Sequence, residues 1–281
     1  MRISFIGIGA QKCASSWVHD LLADHPEVAV PRLKEVDFFT HHFENGYRWY
    51  EHQLLVRPGA IAAGENSPSY MHEPAVPERV FAYRPDMKIV VSLRDPVERV
   101  LSQHRHMVGL GRVPSADLSL EAALATNPTY VDQGFYHRHL RRWTDRFGLE
   151  RLHAILLEDI RSDPAAVARG LYQFVGVGAD HAPASLRQVI NPSYMPNNHV
   201  LEERIRQLRR AMIAKGAGRA WRLLGDTGLR RIYRALNRKS GAEVIPEARP
   251  ETLQQLRIGF ADDVEQLGRL LKRDLSGWLP K

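Results

Sequence analysis

The chain has almost nothing with which to staple itself covalently: its 281 residues include one cysteine, Cys13. No disulfide can form within it, which fits a reducing compartment and excludes the cross-linked scaffold of a small secreted domain. Long apolar runs are missing too, and no stretch approaches the ~20 residues of a membrane-crossing helix. The apolar opening is too short for a signal-peptide core and leads into a glycine turn without a small-residue cleavage site. Neither a C-x-x-C nor an H-E-x-x-H spacing occurs, so no metal is expected. Acidic residues are outnumbered, 32 against 39 Lys and Arg, giving a formal net charge of +7. That balance suits an anionic ligand, a polyanionic acceptor or an acidic surface, and does not choose among them. A hydrophobic share of 44% and a charged share of 25% are those of a globular protein. These features predict a cytoplasmic, soluble protein with no membrane insertion and no nucleic-acid partner.

What is present is an alternation of short apolar runs and helical patterns. Strands are predicted at Ile3–Ile8, Val28–Val30, Ile61–Gly64, Lys88–Leu93 and Leu152–Leu157. The run Lys88-Ile89-Val90-Val91-Ser92-Leu93 is β-branched and nearly continuous, as for a strand covered on both faces. Helices are predicted at Ser15–His25, Val76–Tyr83, Pro96–Leu110, Gly134–Phe147 and Pro164–Val175. Asp95-Pro96 and Asp163-Pro164 supply an N-cap followed by proline at the first helical position. This order predicts an α/β fold with a central parallel β-sheet flanked by helices. The chain is read as a single domain over 1–281, with an α/β core at 1–190 and a mostly helical portion at 191–281. Helices there are predicted at Glu202–Lys215, Asp226–Asn237 and Pro250–Lys272. Between Glu202 and Gly241, 12 Lys and Arg face 3 Asp and Glu. That basic stretch is either a solvated helical face or a wall facing a polyanion.

The first twenty residues carry the chemistry. An apolar strand feeds Gly7-Ile8-Gly9-Ala10-Gln11-Lys12-Cys13-Ala14-Ser15-Ser16 and then an amphipathic helix. A turn from strand to helix N-terminus is an anion site, because the first N–H groups of the helix have no intrahelical partner. Lys12 adds a positive charge. A Walker A loop would need G-x-x-x-x-G-K-[ST], whereas Lys12 is followed by Cys13-Ala14. A Rossmann turn would need a third glycine where Lys12 stands. Cys13 is read as a small loop residue, Trp17 as core, and His41 and His42 as exposed loop histidines.

The loop resembles instead that of the sulfotransferases that use 3′-phosphoadenosine 5′-phosphosulfate (PAPS), of the form K-x-G-[TS]-[TSR]. Cys13 and Ala14 stand where glycines are common. Arg94-Asp95-Pro96-Val97-Glu98-Arg99-Val100-Leu101-Ser102 is similar to the family's R-D-P-x-x-R-x-x-S segment. The resemblance implies that Arg94 and Ser102 hold the 3′-phosphate. On the residues alone, Arg94 could instead pair with Asp95 or Glu98, leaving Ser102 on a helix surface. Lys34-Glu35-Val36-Asp37-Phe38-Phe39 resembles the K-E-x-H-F-F segment of the heparan sulfate N- and 3-O-sulfotransferases, with Asp37 in the histidine's place. Gly64-Glu65-Asn66-Ser67-Pro68-Ser69-Tyr70 resembles their E-K-[ST]-x-x-Y segment, with Asn66 in place of lysine. Gly134-Phe135-Tyr136 through Trp143 resembles their G-x-Y-x-x-x-L-x-x-W helix. The closing Arg273-Asp274-Leu275-Ser276-Gly277-Trp278 is like the ends of bacterial members.

The resemblance implies a P-loop-like sulfotransferase fold with PAPS as co-substrate, 3′-phosphoadenosine 5′-phosphate (PAP) as product, and no metal. It implies Glu35 as general base and Lys12 as stabiliser of the leaving phosphate. Lys12, Cys13, Ala14, Ser15, Ser16, Arg94, Ser102, Arg238 and Lys239 would line the donor. Asp37, Glu65, Asn66 and Tyr136 would line the acceptor, a carbohydrate hydroxyl or amine, in a cleft completed by the helical portion. The competing readings are a sulfotransferase for a lipid, glycolipid or small metabolite, and a non-catalytic nucleotide or polyanion binder on the same scaffold.

Overall fold

The computed structural model describes residues 1–114, 116–183 and 245–280, together with Leu186, Met195, Pro196, Arg204, Gln207, Leu208, Arg238 and Lys239. The helices expected at 202–215 and 226–237 lie almost wholly outside the described residues. The chain divides into two compact units. One comprises Met1–Arg99, Gln133–Ile190 and Leu256–Lys281, the other Val100–Asp132 and Asn191–Gln255.

The first unit contains a six-stranded sheet. Its strands are β1 (Phe5–Gly9), β2 (Val28–Pro31), β3 (Leu54–Leu55), β4 (Ala62–Asn66), β5 (Lys88–Leu93) and β6 (Leu152–Leu156). Their order is β3-β2-β4-β1-β5-β6. Every neighbouring pair is parallel except β2–β3 at the edge. The five expected strands are all present within two residues at either end. β3 was not anticipated, because two leucines give no period to read.

Helices connect the strands: α1 (Ser15–Asp24), α2 (Phe38–His41), α3 (Gly46–His52), α4 (Val76–Tyr83) and α5 (Pro96–Gly109). Further along are α8 (Tyr136–Phe147), α9 (Leu157–Ser162), α10 (Pro164–Val175) and a C-terminal helix, α11 (Pro250–Leu271). Phe5, Val28, Val30, Ala62, Val90 and Ile155 of the sheet share one core cluster with Trp17, Val18 and Leu21 of α1 and with Leu171 and Val175 of α10. Trp17 is thus core. β1 and β4 lie close enough for side chains to interlock across them. A Cβ on Gly64 would sit 2.2 Å from the Phe5 ring, and one on Gly7 would sit 2.7 Å from Asn66 Cγ. Asp95 caps α5 as expected, its Oδ1 accepting the N–H groups of Val97 at 2.8 Å and Glu98 at 3.1 Å.

The second unit contains α6 (Leu120–Thr126) and α7 (Thr129–Asp132). It also contains an antiparallel pair, β7 (Met195–Pro196) and β8 (Arg238–Lys239).

Candidate functional site

Ligands of open α/β sheets bind beyond the carboxyl ends of the strands. At that edge of the first unit, the loops after β1, β2, β4 and β5 carry most of the residues singled out by the sequence. The β1–α1 loop bends sharply. Lys12 and Ala14 both adopt φ of 66°, in the left-handed region. That conformation explains why glycine is common at the position of Ala14, since only glycine adopts it without steric cost. Lys12 is half-buried. Burial holds its ammonium below the ordinary lysine range, and the charge of Lys34 adds to the depression.

Cys13 lies beneath the loop, fully buried. Its Sγ lies 3.5 Å from the Tyr136 hydroxyl. Burial pushes the thiol up, which is the reverse of what a nucleophile requires. Tyr136 opens α8 with no exposed surface. It is enclosed below the loop, so its side chain supports the turn rather than facing an acceptor.

Arg94 leaves the end of β5 and reaches the neighbouring loop, where one terminal nitrogen donates to the Lys12 carbonyl at 3.4 Å. Its guanidinium pairs with Glu98, one turn into α5. Its Nε is buried and finds no partner among the described residues. Of the two alternatives for Arg94, Glu98 is therefore the carboxylate it meets. Asp95 pairs instead with Arg257 of α11 at 2.9 Å. Ser102 is buried on α5 rather than exposed on the helix surface. Arg238 and Lys239 form β8 of the second unit.

The loop after β2 brings up Glu35. Glu35 (φ 63°) and Asp37 (φ 51°) are also left-handed. Of five non-glycine residues with positive φ among the described residues, four lie in this loop and the β1–α1 turn. Backbone strain is concentrated at functional loops in this way. The Glu35 carboxylate is exposed and lies 3.2 Å from Lys34 Nζ. Lys34 in turn donates to Ser16 Oγ at 2.9 Å and Ser15 Oγ at 3.3 Å. The turn is pinned from β4 and its following residues. Asp37 N–H donates to Ser67 Oγ at 2.9 Å, and Ser69 Oγ donates to Asp37 Oδ1 at 2.6 Å.

Glu65 and Asn66, at the end of β4, are nearly inaccessible, with 2% and 4% of their surface exposed. Glu65 accepts from the Tyr50 hydroxyl at 3.1 Å and the Ser67 hydroxyl at 2.7 Å. Burial pushes its carboxyl up to about 7, opposed by the hydroxyls of Tyr70, Ser67 and Tyr50. A carboxylate so enclosed holds the loop from below. Asn66 Nδ2 donates to the Ser15 carbonyl at 3.0 Å, tying β4 to the start of α1. His41 and His42 are exposed, as expected, but His41 closes α2 rather than lying in a loop.

Sequence patterns gave no role to Lys34, Arg99 and Asp263. Arg99 is an arginine with no exposed surface, and its charge acts on Cys13 and Tyr136. Its place in the R-D-P-x-x-R pattern was the available signal.

A model of the sulfotransferase domain matches residues 4–232. The chain belongs to the sulfotransferase domain family. The chain is 30% identical over 178 residues to the heparan sulfate glucosamine 3-O-sulfotransferase 3B1 of Mus musculus, a match covering 60% of this chain and 45% of that protein. It is 28% identical over 193 residues to the bifunctional heparan sulfate N-deacetylase/N-sulfotransferase 2 of Homo sapiens, covering 62% and 22%. The matches thus span less than half the length of these relatives. The crystal structure of a sulfotransferase from Alicyclobacillus acidocaldarius superposes with a TM-score of 0.71 at 25% identity, covering 99% of both chains. The likeness to that bacterial enzyme extends over the α/β sheet and its flanking helices. No described helix of the chain is long and apolar enough to cross a membrane.

Proposed function

We propose that this sulfotransferase moves the sulfuryl group of PAPS to a hydroxyl or amine of a carbohydrate-type acceptor and releases PAP. The observation that carries this reading is the convergence of Lys12 and Arg94 at one loop, with Arg94 bonded to the Lys12 carbonyl. Two cations there suit a ligand with two separate anionic groups. Arg94 Nε, buried and without a partner among the described residues, has a donor to spare for a phosphate. The acceptor class rests on the heparan sulfate sulfotransferases to which the chain is similar.

PAPS brings a sulfuryl group already activated on its 5′-phosphate. The acceptor oxygen or nitrogen forms a bond to sulfur while the bond from sulfur to the phosphate oxygen breaks, its electron pair staying on that oxygen. The acceptor's proton passes to Glu35, whose exposed carboxylate suits a general base. Charge growing on the leaving phosphate is met by Lys12 and by the N–H groups that open α1. Arg94 binds the 3′-phosphate. Asp37, two residues from Glu35, lines the acceptor side. Such chemistry depends chiefly on positioning and electrostatics.

The test is PAP release from labelled PAPS with glycans, glycolipids and small alcohols as acceptors. PAP release dependent on a glycan supports the reading. Release dependent only on a lipid or small alcohol overturns the acceptor class. PAP binding without release for any acceptor overturns the enzymatic reading.

A further inference from the structure

Lys34 has no part in the reaction as described so far, yet its surroundings are those of an anion ligand. An ammonium carries three N–H donors, and three acceptors face this one: Ser15 Oγ, Ser16 Oγ and Glu35 Oε1. Ser15 and Ser16 open α1, where the helix dipole already places partial positive charge. A lysine held at that end of a helix calls for an anion beside it, and here the anion is a carboxylate that a stronger oxyanion can displace. Lys34 is also near enough to Lys12 and His19 for its charge to depress both. Its carboxylate partner, Glu35, is half exposed.

The hydroxyls point to the same conclusion. Both accept from Lys34, so each keeps its own proton to donate, and neither proton has an acceptor among the described residues. An oxyanion at the start of α1 would meet two hydroxyl donors, free backbone N–H groups and two ammonium groups. Asn66, which stands under the same turn, contributes an uncharged amide already engaged with the Ser15 carbonyl. Lys12 is therefore the one lysine the earlier reading supplies, and Lys34 is the second.

We infer that Lys34 is a further catalytic residue, contacting the 5′-phosphosulfate end of the donor together with Lys12, Ser15 and Ser16. This rests on the reading of the donor as PAPS. The ammonium that bridges Ser15, Ser16 and Glu35 turns to the bound anion and carries part of the charge that develops on the leaving phosphate.

The test is calorimetric binding of PAP and of adenosine 3′-phosphate, which lacks the 5′ group, to the wild type, Lys34→Ala and Lys34→Arg. Lys34→Ala is expected to weaken PAP roughly ten- to hundred-fold, the value of a charge-assisted hydrogen bond. Adenosine 3′-phosphate should bind both proteins alike, and Lys34→Arg should recover most of the PAP affinity. If PAP binds Lys34→Ala as tightly as the wild type, the role of Lys34 is overturned and the donor reading stands. An equal loss for both ligands also overturns it, because a general loosening of the loop would then explain the result. If the wild type gains no affinity from the 5′-phosphate, the donor reading fails and the role of Lys34 with it.

Discussion

The Ser67 hydroxyl donates to the buried Glu65 carboxylate at 2.7 Å and at the same time accepts the backbone N–H of Asp37 at 2.9 Å. A carboxylate at the end of β4 is thereby coupled to the loop that presents Glu35. Above the same carboxylate, Tyr50 stacks on Phe38 with ring centroids 4.4 Å apart. Desolvation raises the Glu65 carboxyl from 4.5 to about 7. The folded protein therefore binds this proton more tightly than the unfolded chain does. Its contribution to stability is full below pH 4.5 and is lost as pH rises through about 7, on the order of 3 kcal/mol in all. Glu65→Gln removes the titration. Its thermal midpoint should fall less than that of the wild type between about pH 5 and pH 8. Parallel midpoint-against-pH curves would show that Glu65 does not titrate in that window.

Glu35→Gln should leave PAP binding nearly intact, because Glu35 serves the acceptor's proton and not the donor's phosphates. Turnover should fall by ~10²–10⁴-fold, the usual contribution of a general base. Single-turnover sulfuryl transfer measures this directly. A variant as fast as the wild type would remove Glu35 from the proton-accepting role.

Arg94 meets Glu98 in the structure, so a phosphate must compete with a carboxylate for its guanidinium. Two opposite effects are expected in equilibrium binding. Arg94→Ala should weaken PAP far more than adenosine 5′-phosphosulfate, which has no 3′-phosphate. Glu98→Gln should tighten PAP, since the ion pair no longer has to be given up. Equal losses of both ligands in Arg94→Ala would assign Arg94 to holding the Lys12 carbonyl instead.

The sheet was legible because buried parallel strands are written as short apolar runs, and β5 is the plainest of them. The helices opened by Asp-Pro were legible for a comparable reason, a cap and a proline in sequence. Residues 34–39 were read through their motif, but the short helices α2 and α3 were not foreseen, because they are set by an aromatic cluster drawn from several elements. Phe39 meets Tyr50 at 5.1 Å and Tyr70 at 5.6 Å across 31 residues of chain. Asp263 shows the same limit. From α11 it accepts the N–H groups of His137 at 2.9 Å and Arg138 at 3.0 Å, capping a helix more than a hundred residues away. Local patterns cannot announce a cap supplied from another helix. The enclosure of Glu65 and Tyr136 was hidden likewise, since a motif fixes residue type and order but not which side chains the tertiary packing closes over.

Ala14 offers a test of how far the departure from the glycine pattern matters. Its φ of 66° and ψ of 17° place an alanine in the left-handed region immediately before α1. For a residue with a Cβ that conformation costs roughly 1–2 kcal/mol. Glycine would avoid the cost but loses more backbone entropy on folding, roughly 0.5–1 kcal/mol relative to alanine. The steric term is the larger, so Ala14→Gly should stabilise the fold by up to about 1.5 kcal/mol. The shift is read as a higher denaturant midpoint at unchanged m-value. Because the backbone of the turn already has the shape that glycine favours, PAP affinity should change little. A lower midpoint would mean that the Ala14 methyl, which packs against the core cluster beneath α1, contributes more than the left-handed backbone costs.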